Sequence, residues 1–275
     1  MPGRLYIVSL PIGNLEDITI RALRTLRSVD EIIAEDSRTT RTVLDRYGIR
    51  TLFSSSYYEG VEEERSTQLV HRLKEGSDLA LVTDAGTPLI SDPGYPLVRA
   101  AVLAGIQVVP VPGPSAALAA LVASGVPASR FAFDGMLPRT ASARIAYLKE
   151  LRHERRTVLV YESPHRLLAT LEMIEEILAG RQLVLARELT KLHEEFLRGT
   201  ATELLTELRA RQRVRGECVL VFHGVDERPP EIAPEAWTEV VSLLNKAAVP
   251  RKIASRILAA AFGIPRNEAY RRLTV

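Results

Sequence analysis

Residues 78–116 read DLALVTDAGTPLISDPGYPLVRAAVLAGIQVVPVPGPSA and contain the pattern that decides the fold. Asp78–Thr83 is a short apolar segment that predicts a buried strand. Residues 96–104 have helical spacing and end at Gly105, and residues 106–111 predict a second strand. Short apolar strands that alternate with helices are typical of βαβ units and of a parallel sheet. This stretch therefore predicts an α/β protein with a parallel sheet.

The same alternation continues on both sides of this stretch. Leu5–Leu10 and Glu31–Ala34 predict earlier strands of the parallel sheet. Later strands need not all be parallel, so we expect a mixed second sheet; they are predicted at residues 130–134, 157–161, 182–187, 194–199 and 217–223. A proline-rich linker at residues 226–233 precedes three short helices. We therefore expect two α/β domains, residues 1–113 and 114–225, and a small helical tail, residues 226–275.

Prolines predict two helix starts in the second half. Pro114 is predicted to begin an alanine-rich helix that runs to Ala123, because proline suits the first turn of a helix. Ser163 is predicted to cap, and Pro164 to begin, a helix that ends at Leu178.

The composition fits an ordinary globular protein. The chain has 275 residues, of which 46% are apolar and 25% charged. No apolar run reaches the roughly 18 residues that a membrane-spanning helix requires, and the first residues lack the layout of a signal peptide. Cys218 is the single cysteine, which excludes an internal disulfide. These features predict a reducing, cytoplasmic setting.

Positive charge is concentrated in two segments, although the net charge of the chain is only +2. Residues 246–275 have a net charge of +6 and residues 139–156 a net charge of +4. Such segments favour a polyanionic partner. Solvated helix faces would give the same pattern, so charge alone leaves both interpretations open.

Three loops rich in glycine and proline follow predicted strands. They are PIGNL (residues 11–15), DAGTP (84–88, continuing to Gly94) and PGPSA (112–116). In open α/β sheets, ligands bind beyond the carboxyl ends of the strands. Glycine lets a backbone approach a ligand closely and proline stiffens the approach. The loops therefore predict a small-ligand site lined by backbone.

Several motifs that are typical of common ligand sites are absent, which reduces the classes of ligand that the loops are expected to bind. The chain has no G-x-G-x-x-G, no Walker A sequence and no H-E-x-x-H, and its five histidines show no metal spacing. Dinucleotide, P-loop nucleotide and zinc sites are therefore unsupported, and we expect no metal. An adenosyl-sulfonium donor carries no phosphate, so it fits a backbone-lined site that lacks these motifs.

The sequence resembles a known family at seven ordered motifs that span nearly the whole chain. These are PIGNL, AEDSR (34–38), DAGTPLISDPG (84–94), PGPSA, GMLP (135–138), YESPHRL (161–167) and ARELTK (186–191). They are similar to those of the small-subunit ribosomal RNA 2′-O-ribose methyltransferases within the tetrapyrrole-methylase (class III) fold. Seven motifs in the family's order are far more specific than any one of them.

The resemblance implies a homodimer that binds S-adenosylmethionine in the cleft between its two domains. The expected substrate is the ribose 2′-hydroxyl of a decoding-region cytidine (cytidine 1402) in 16S ribosomal RNA, either free or in the 30S subunit. The residues implied for donor binding are Pro11, Ile12, Gly13, Asn14, Asp84, Ala85, Gly86, Thr87, Pro88, Ser91, Pro112, Gly113, Pro114, Ser115, Ala116, Tyr161, Glu162 and Ser163.

Methyl transfer to a hydroxyl requires alignment and benefits from a proton acceptor or from a cation that stabilises the alkoxide. The catalytic candidates are Glu35, Arg187, Glu188 and Lys191. The alternative is that these charges pair with one another structurally. The side chains predicted to contact RNA are Arg38, Arg139, Arg144, Arg251, Lys252 and Arg271.

The chain departs from the family's pattern at three places. Leu10 stands where a threonine is common, and Ser37 replaces a usual threonine. Residues 56–60 (SYYEG) replace a histidine-rich stretch, which leaves that histidine's role unfilled or taken by a tyrosine. Two alternative functions remain open: a precorrin-type tetrapyrrole methyltransferase on the same fold, and a non-catalytic RNA-binding protein.

Overall fold

The computed structural model describes residues 1–35, 37–55, 57–58, 60–211, 213–225 and 234–273; the side chains of residues 37–39, 54, 55, 234 and 235 lie outside the description. The chain forms two compact units, residues 1–224 and 225–275. No helix among the described residues is long and apolar enough to cross a membrane.

The first sheet is entirely parallel and has the strand order β3-β2-β4-β1-β5. Its strands are β1 (Arg4–Val8), β2 (Glu31–Ala34), β3 (Leu52–Ser55), β4 (Leu79–Leu81) and β5 (Gln107–Val111). The helices between them are α1 (Ile20–Ser28), α2 (Ser37–Arg46), α3 (Glu62–Lys74) and α4 (Tyr95–Leu103). All the carboxyl ends of these strands therefore point to one edge of the sheet.

Two apolar clusters fix this sheet between its helices. One contains Leu26 of α1 and Val43 of α2 together with Val8 of β1. The other contains Leu73 of α3 and Leu97 of α4. Because apolar side chains cover both faces, β2 and β4 are buried along their whole length, as in other parallel sheets, whereas β1 and β5 are only partly buried.

The second sheet is mixed, with the order β6-β7-β10-β8-β9. Its strands are β6 (Phe131–Met136), β7 (Thr157–Glu162), β8 (Leu183–Arg187), β9 (Glu195–Gly199) and β10 (Cys218–Phe222). Only β6 and β7 pair in parallel, and the other neighbours are antiparallel. The accompanying helices are α5 (Ala116–Ser124), α6 (Ala141–Glu150), α7 (Leu167–Ile177) and α8 (Ala201–Arg209). The predicted fold, with a parallel first sheet and a mixed second sheet, is confirmed.

The two proline-based helix starts were wrong. Helix α5 begins at Ala116 with Ser115 as its extended N-cap residue, so Pro114 lies before the helix. Helix α7 begins at Leu167, because the preceding residues form a separate turn in which Arg166 N donates to Ser163 O at 3.0 Å. Strand β3 was not predicted; it is a short edge strand whose sequence LFSS shows no clear alternation.

The tail unit contains α9 (Pro234–Lys246), α10 (Arg251–Phe262) and α11 (Arg266–Arg272) around a small apolar core. Gly263 ends α10 in the left-handed conformation, at a φ of 61°. Helices α10 and α11 begin alike: Pro250 and Pro265 are their N-cap residues, and each proline carbonyl accepts from the third and fourth following amides at 2.8–3.0 Å.

Candidate active site

The three glycine- and proline-rich loops lie side by side because they follow β1, β4 and β5, which are neighbours in the first sheet. The PIGNL and DAGTP loops are joined by a backbone pair: Leu10 N donates to Gly86 O at 2.8 Å, and Gly86 N donates to Leu10 O at 3.0 Å. Hydroxyl groups extend the connection. Thr87 Oγ1 lies 2.9 Å from Ser9 Oγ and donates to Pro114 O at 3.0 Å. The predicted adjacency of the loops is therefore present.

Glycine is required at two of these contacts. Gly86 has a φ of 77°, in the left-handed region that costs other residues roughly 1–2 kcal/mol. A Cβ atom on Gly113 would lie 2.8 Å from Ser9 Cβ, so only glycine permits this approach. The loops are thus packed backbone against backbone.

The DAGTP loop (residues 84–94) contains two left-handed non-glycine residues, Leu89 with a φ of 72° and Ser91 with a φ of 68°. Its end is fixed at Gly94, whose amide donates to Glu62 Oε1 at 2.8 Å. Backbone strain of this kind persists only where the surroundings enforce it, and it concentrates at functional sites. The loop is therefore held in a defined shape against the rest of the site.

The second sheet contributes the end of β7, where Glu162 is completely buried. Its Oε1 accepts from Ser163 N at 2.6 Å and forms an ion pair with Arg166 Nη2, also at 2.6 Å. Its Oε2 accepts from Thr170 Oγ1 at 2.7 Å and from Arg144 Nη1 at 3.4 Å. This carboxylate therefore organises the YESPHRL segment.

Arg166 connects this cluster to the GMLP segment. Its guanidinium donates to Leu137 O and to Pro138 O, each at 3.3 Å. Gly135, in the same segment, approaches the first sheet: a Cβ atom built on it would lie 3.3 Å from Ser91 Oγ. The GMLP and YESPHRL motifs thus form one structural unit that faces the DAGTP loop.

A cavity of ≈ 360 Å³, the main cavity, lies between these loops and the second sheet. Its lining residues are Ile12, Ala85, Gly86, Thr87, Ile90, Ser91, Asp92, Ser115, Ala116, Met136, Tyr161, Glu162, Ser163, Pro164, Gly216, Glu217, Cys218 and Val219. None of them is a lysine, arginine or histidine. The volume is within the range of small-molecule sites, roughly 300–1,000 Å³.

Ten of the predicted donor-binding residues line the main cavity. They are Ile12, Ala85, Gly86, Thr87, Ser91, Ser115, Ala116, Tyr161, Glu162 and Ser163. The other eight belong to the same loops but lie beside it. Pro11, Gly13 and Asp84 line one neighbouring pocket, and Gly113 and Pro114 another. Asn14 instead caps a short turn by accepting from Glu16 N at 3.1 Å, and Pro88 and Pro112 line none of these cavities.

Lys191 lies at the rim of a second cavity of ≈ 440 Å³, the lysine pocket, which also includes Asp84, Ala85 and Thr42. Its stem crosses Gly13, since a Cβ atom there would lie 2.6 Å from Lys191 Cγ. The ammonium group donates to Glu188 Oε1 at 2.8 Å.

Charges around Lys191 favour its protonated form. Partial burial acts to lower the pKa of Lys191, but the hydrogen bond to Glu188 and the nearby Glu217 raise it overall. The hydrogen bond from Lys191 lowers the pKa of Glu188. Lys191 is therefore a permanent cation at the edge of the cleft, and Glu188 is a weak proton acceptor.

The remaining catalytic candidates differ in position. Arg187 is bound to Glu195 and donates to Arg215 O at 2.7 Å, so its guanidinium is used in holding β8, β9 and the segment before β10 together. Glu35 lines a third cavity of ≈ 470 Å³, the side pocket, together with Glu62, Tyr95 and Asp92.

Asp92 is a site residue that the sequence reasoning missed. It lines both the main cavity and the side pocket. Burial, together with the negative charges of Glu35 and Asp84, raises its pKa to about 7. Its position inside the DAGTPLISDPG motif was the available signal. Ser9, Met136 and the segment at Gly216–Val219 were also missed.

The predicted RNA contacts fall into three classes. Arg139, Arg251, Lys252 and Arg271 are exposed. Arg144 is buried against Glu162, a position in which its guanidinium cannot reach a surface ligand. Arg38 has a side chain outside the described residues.

Tyr57, from the divergent 56–60 stretch, is a core residue whose hydroxyl forms hydrogen bonds with Ser66 Oγ and with Leu97 N.

Much of the basic segment 139–156 is used internally. Besides Arg144, Arg152 donates to Ile177 O at 3.1 Å, and Arg156 pairs with Glu154 at 2.8 Å.

The described residues contain no group of three or more histidine, cysteine, aspartate or glutamate side chains that could hold a metal ion.

Comparison with known proteins places this architecture in a family. The family model for tetrapyrrole (corrin/porphyrin) methylases matches residues 4–205. A ribosomal RNA small subunit methyltransferase I from Halalkalibacterium halodurans is 43% identical over 272 residues, which cover 98% of this chain and 93% of the relative. A protein of the same name from Thermotoga maritima is 48% identical over 222 residues, which cover 81% of this chain and 99% of the relative.

A solved structure shows the same fold. The uroporphyrin-III-C-methyltransferase of Thermus thermophilus superposes with a TM-score of 0.56 at 21% identity, covering 80% of this chain and 94% of that one. The matched family model spans the first sheet, strands β6 to β9 of the second sheet and the three glycine- and proline-rich loops. The chain therefore belongs to the tetrapyrrole (corrin/porphyrin) methylase family and, within it, to the group formed by these ribosomal RNA small subunit methyltransferase I relatives.

Proposed function

We propose that this protein is an S-adenosylmethionine-dependent methyltransferase that methylates the ribose 2′-hydroxyl of a cytidine in small-subunit ribosomal RNA. Its full-length relatives are named ribosomal RNA small subunit methyltransferases. The observation that carries the proposal is the main cavity, which combines glycine-rich backbone with carboxylates and contains no cationic side chain.

The residues of the main cavity fit S-adenosylmethionine. Asp92, Glu162 and Glu217 bring carboxyl groups to a wall that otherwise offers backbone, hydroxyl, thiol and apolar groups. That environment attracts a sulfonium or ammonium group and repels a phosphate. When bound, S-adenosylmethionine supplies an electrophilic methyl group. Ser115, Tyr161 and Ser163 are the polar groups that would hold and orient it, and Ile12 and Val219 would exclude water.

Lys191 is the group proposed to orient the acceptor. It lies at the lysine pocket, which shares Ile12, Ala85 and Glu217 with the main cavity. A permanent cation there would attract the RNA backbone and so hold the strand that carries the acceptor. Of the other candidates, Arg187 and Glu188 would act by fixing the geometry of the ELTK loop (residues 188–191).

RNA contact is assigned to exposed cations. Arg139 is exposed on the body, and Arg251, Lys252 and Arg271 are exposed on the tail unit. The Thermotoga maritima relative matches over 222 residues, about as many as the first compact unit contains. We therefore assign the positively charged tail to RNA affinity rather than to chemistry.

A homodimer remains a proposal. Exposed Leu118 and Val122 on the largely apolar helix α5 favour a covered surface there.

The reaction is tested by transfer of labelled methyl groups to 30S subunits from a strain that lacks this gene. Mass spectrometry of the 16S rRNA should then find one new ribose methyl group on a cytidine. Methyl transfer to a tetrapyrrole precursor, with none to 30S subunits or to free rRNA, would contradict the proposal. Failure to bind S-adenosylmethionine in calorimetry would favour a non-catalytic RNA-binding protein.

Two variants separate the roles of lysine and tail. Lys191→Ala should lower turnover about 10- to 100-fold while donor affinity stays the same, and Lys74→Ala, an exposed lysine at the end of α3, is the matched control. Truncation after Val225 should weaken RNA affinity and make its loss with salt less steep, while donor binding persists. Unchanged RNA affinity after truncation would remove the tail from the RNA-binding surface.

A further inference from the structure

Asp92 lies where two cavities meet. Only Ser91 and Asp92 line both the main cavity and the side pocket formed by Glu35, Glu62 and Tyr95. A group at such a junction can face a ligand in the main cavity and a second molecule that enters through the side pocket. It is therefore placed between a donor and an acceptor.

The loop that carries Asp92 is fixed on both sides. Before it, Leu89 and Ser91 adopt left-handed conformations, and after it Gly94 has a φ of 138°. A Cβ atom on Gly94 would lie 2.8 Å from Leu81 Cδ2, so the chain is pressed against β4 there. Glu62 holds the Gly94 amide at 2.8 Å. The carboxylate of Asp92 is thus positioned by its backbone rather than by an ion pair.

The other carboxylates of the main cavity are used differently. The buried Glu162 side chain accepts three hydrogen bonds and forms an ion pair with Arg166. Glu217 is mostly exposed and lies 3.4 Å from the Lys191 ammonium group. Asp92 has neither arrangement: burial, Glu35 and Asp84 all disfavour its charged form and raise its pKa to about 7, against a smaller opposite effect of the Thr83 hydroxyl. A proton acceptor works best when its pKa is near the working pH.

We propose that Asp92 is the catalytic residue that accepts the proton of the acceptor hydroxyl during methyl transfer. The inference rests on the proposed function. The hydroxyl O–H bond breaks and its proton passes to a carboxylate oxygen of Asp92. The oxygen electron pair forms the new O–CH₃ bond, and the S–CH₃ pair remains on sulfur. One sulfonium charge and one carboxylate charge disappear together, which leaves neutral S-adenosylhomocysteine and a protonated Asp92.

Glu35, one of the catalytic candidates predicted from the sequence, then acts through Asp92. Its negative charge raises the affinity of Asp92 for a proton without contacting the substrate. The described charged or titratable groups that face Asp92 are Glu35 after β2, Asp84 after β4, Glu62 on α3, Tyr95 on α4, Tyr161 on β7 and Glu217 before β10.

Carboxyl-carbon NMR of protein labelled at aspartate tests the titration without any substrate. One aspartate should titrate near pH 7 and should be missing in Asp92→Asn. In Glu35→Gln the same signal should titrate at lower pH, because one neighbouring negative charge is gone. The exposed Asp45→Asn on α2 is the control and should leave that signal in place.

Kinetics with 30S subunits test the catalytic role. Asp92→Asn should lower turnover about 100-fold or more, with a donor dissociation constant within about threefold of wild type. The wild-type kcat/KM should rise with pH and level off above about pH 7. That limb should vanish in Asp92→Asn and move to lower pH in Glu35→Gln, whereas Asp45→Asn should match wild type.

The outcomes of these experiments distinguish the catalytic role of Asp92 from the proposed function of the protein. An active wild type with an equally active Asp92→Asn, or an aspartate that titrates at its ordinary pH, overturns the inference alone. Loss of turnover in Glu35→Gln as deep as in Asp92→Asn, with the Asp92 titration unchanged, transfers the role to Glu35 and also overturns it. A wild type that methylates no ribosomal RNA overturns the proposed function, and this inference with it.

Discussion

The two walls of the main cavity are held in shape by different interactions. The first wall, formed by the PIGNL, DAGTP and PGPSA loops, depends on backbone and hydroxyl contacts. Leu10 and Gly86 exchange two backbone hydrogen bonds, and Thr87 joins Ser9 to Pro114. Each of these neutral bonds contributes only about 1 kcal/mol.

The second wall, formed by the YESPHRL segment and Gly216–Val219 and supported by the neighbouring ARELTK segment, depends on charged side chains. Glu162 binds two arginines and lies completely buried. Glu195 binds both Arg187 and Arg211, and Glu188 binds Lys191. Such pairs are costly to break on one side, because a charge is then left buried without a partner.

The difference shows how the molecule divides its tasks. Small neutral groups on the first wall let a ligand approach the backbone closely, whereas the second wall carries cations to the cleft and fixes them. The first wall should therefore be sensitive to added volume. The second should be sensitive to lost charge.

The largest effect is expected at Glu162. Glu162→Ala leaves Arg144 buried without its carboxylate and should lower the free energy of unfolding by about 3–5 kcal/mol. Urea unfolding measures this. The matched control is Glu172→Ala, which breaks the exposed pair between Glu172 and Arg209 and should cost less than about 1 kcal/mol. Equal losses in the two variants would show that the second wall does not depend on its buried charge.

A smaller effect is expected from added volume at Gly86. Gly86→Ala places a Cβ atom 3.4 Å from Ile12 Cγ2 at a φ of 77°. Gly125→Ala is the control, since its φ is 83° but open space surrounds it. Both variants should lose roughly 1–2 kcal/mol of stability from backbone strain. Calorimetry should find that only Gly86→Ala also loses about tenfold in donor affinity, and a similar loss in Gly125→Ala would contradict the role assigned to the first wall.

Local sequence predicted the first wall well because its signals are local. Glycine and proline after an apolar strand mark a loop at the carboxyl edge of a sheet, and adjacency followed from the βαβ pattern. Helix starts were less accurate. Pro114 lies before the extended N-cap residue Ser115, and Pro164 lies in the turn that precedes α7, and composition alone does not separate such segments from the first turn of a helix.

The second wall was predicted less completely because its interactions join distant positions. Arg144 lies on a segment that reads as a basic surface, but its partner Glu162 is 18 residues away on another element. Gly216–Val219 enters the cavity only because β10 lies between β7 and β8. Asp92 lies inside the DAGTPLISDPG motif, but its raised pKa depends on Glu35 and Asp84, which only the folded chain brings near it.

Asp92 also predicts how stability varies with pH. Its native pKa of about 7 exceeds the ordinary 3.8, so between these values the native state binds more protons than the unfolded state. Stability therefore falls as the pH rises through that window. Asp92→Asn should be more stable than wild type at pH 8, by roughly 1–2 kcal/mol once solvent screening is allowed for, and nearly equal to it below the ordinary aspartate pKa of 3.8.

Glu188 and Glu195 have the opposite sign. Hydrogen bonds from Lys191 and from Arg211 lower their respective pKa values, so their stabilisation is present above the ordinary glutamate pKa and is lost as the pH falls below it. Urea unfolding at several pH values in Asp92→Asn should keep this acid loss while removing the decline towards pH 8. A decline that persists in Asp92→Asn would assign it to another group.

The smallest effect is expected at Thr87. Thr87→Val preserves the shape of the side chain but removes the bonds to Ser9 Oγ and to Pro114 O, at a cost of about 1 kcal/mol. Thr206→Val, which removes an exposed hydroxyl bond within α8, is the control and should cost less because water replaces that bond. Thr87 also joins two of the loops that line the main cavity, so donor affinity should fall in Thr87→Val and not in Thr206→Val. The expected loss is about two- to fivefold, because about 1.4 kcal/mol of binding free energy corresponds to tenfold and the change here is smaller. A loss of donor affinity as large as that of Gly86→Ala would mean that this one hydroxyl, rather than many small contacts, holds the first wall together.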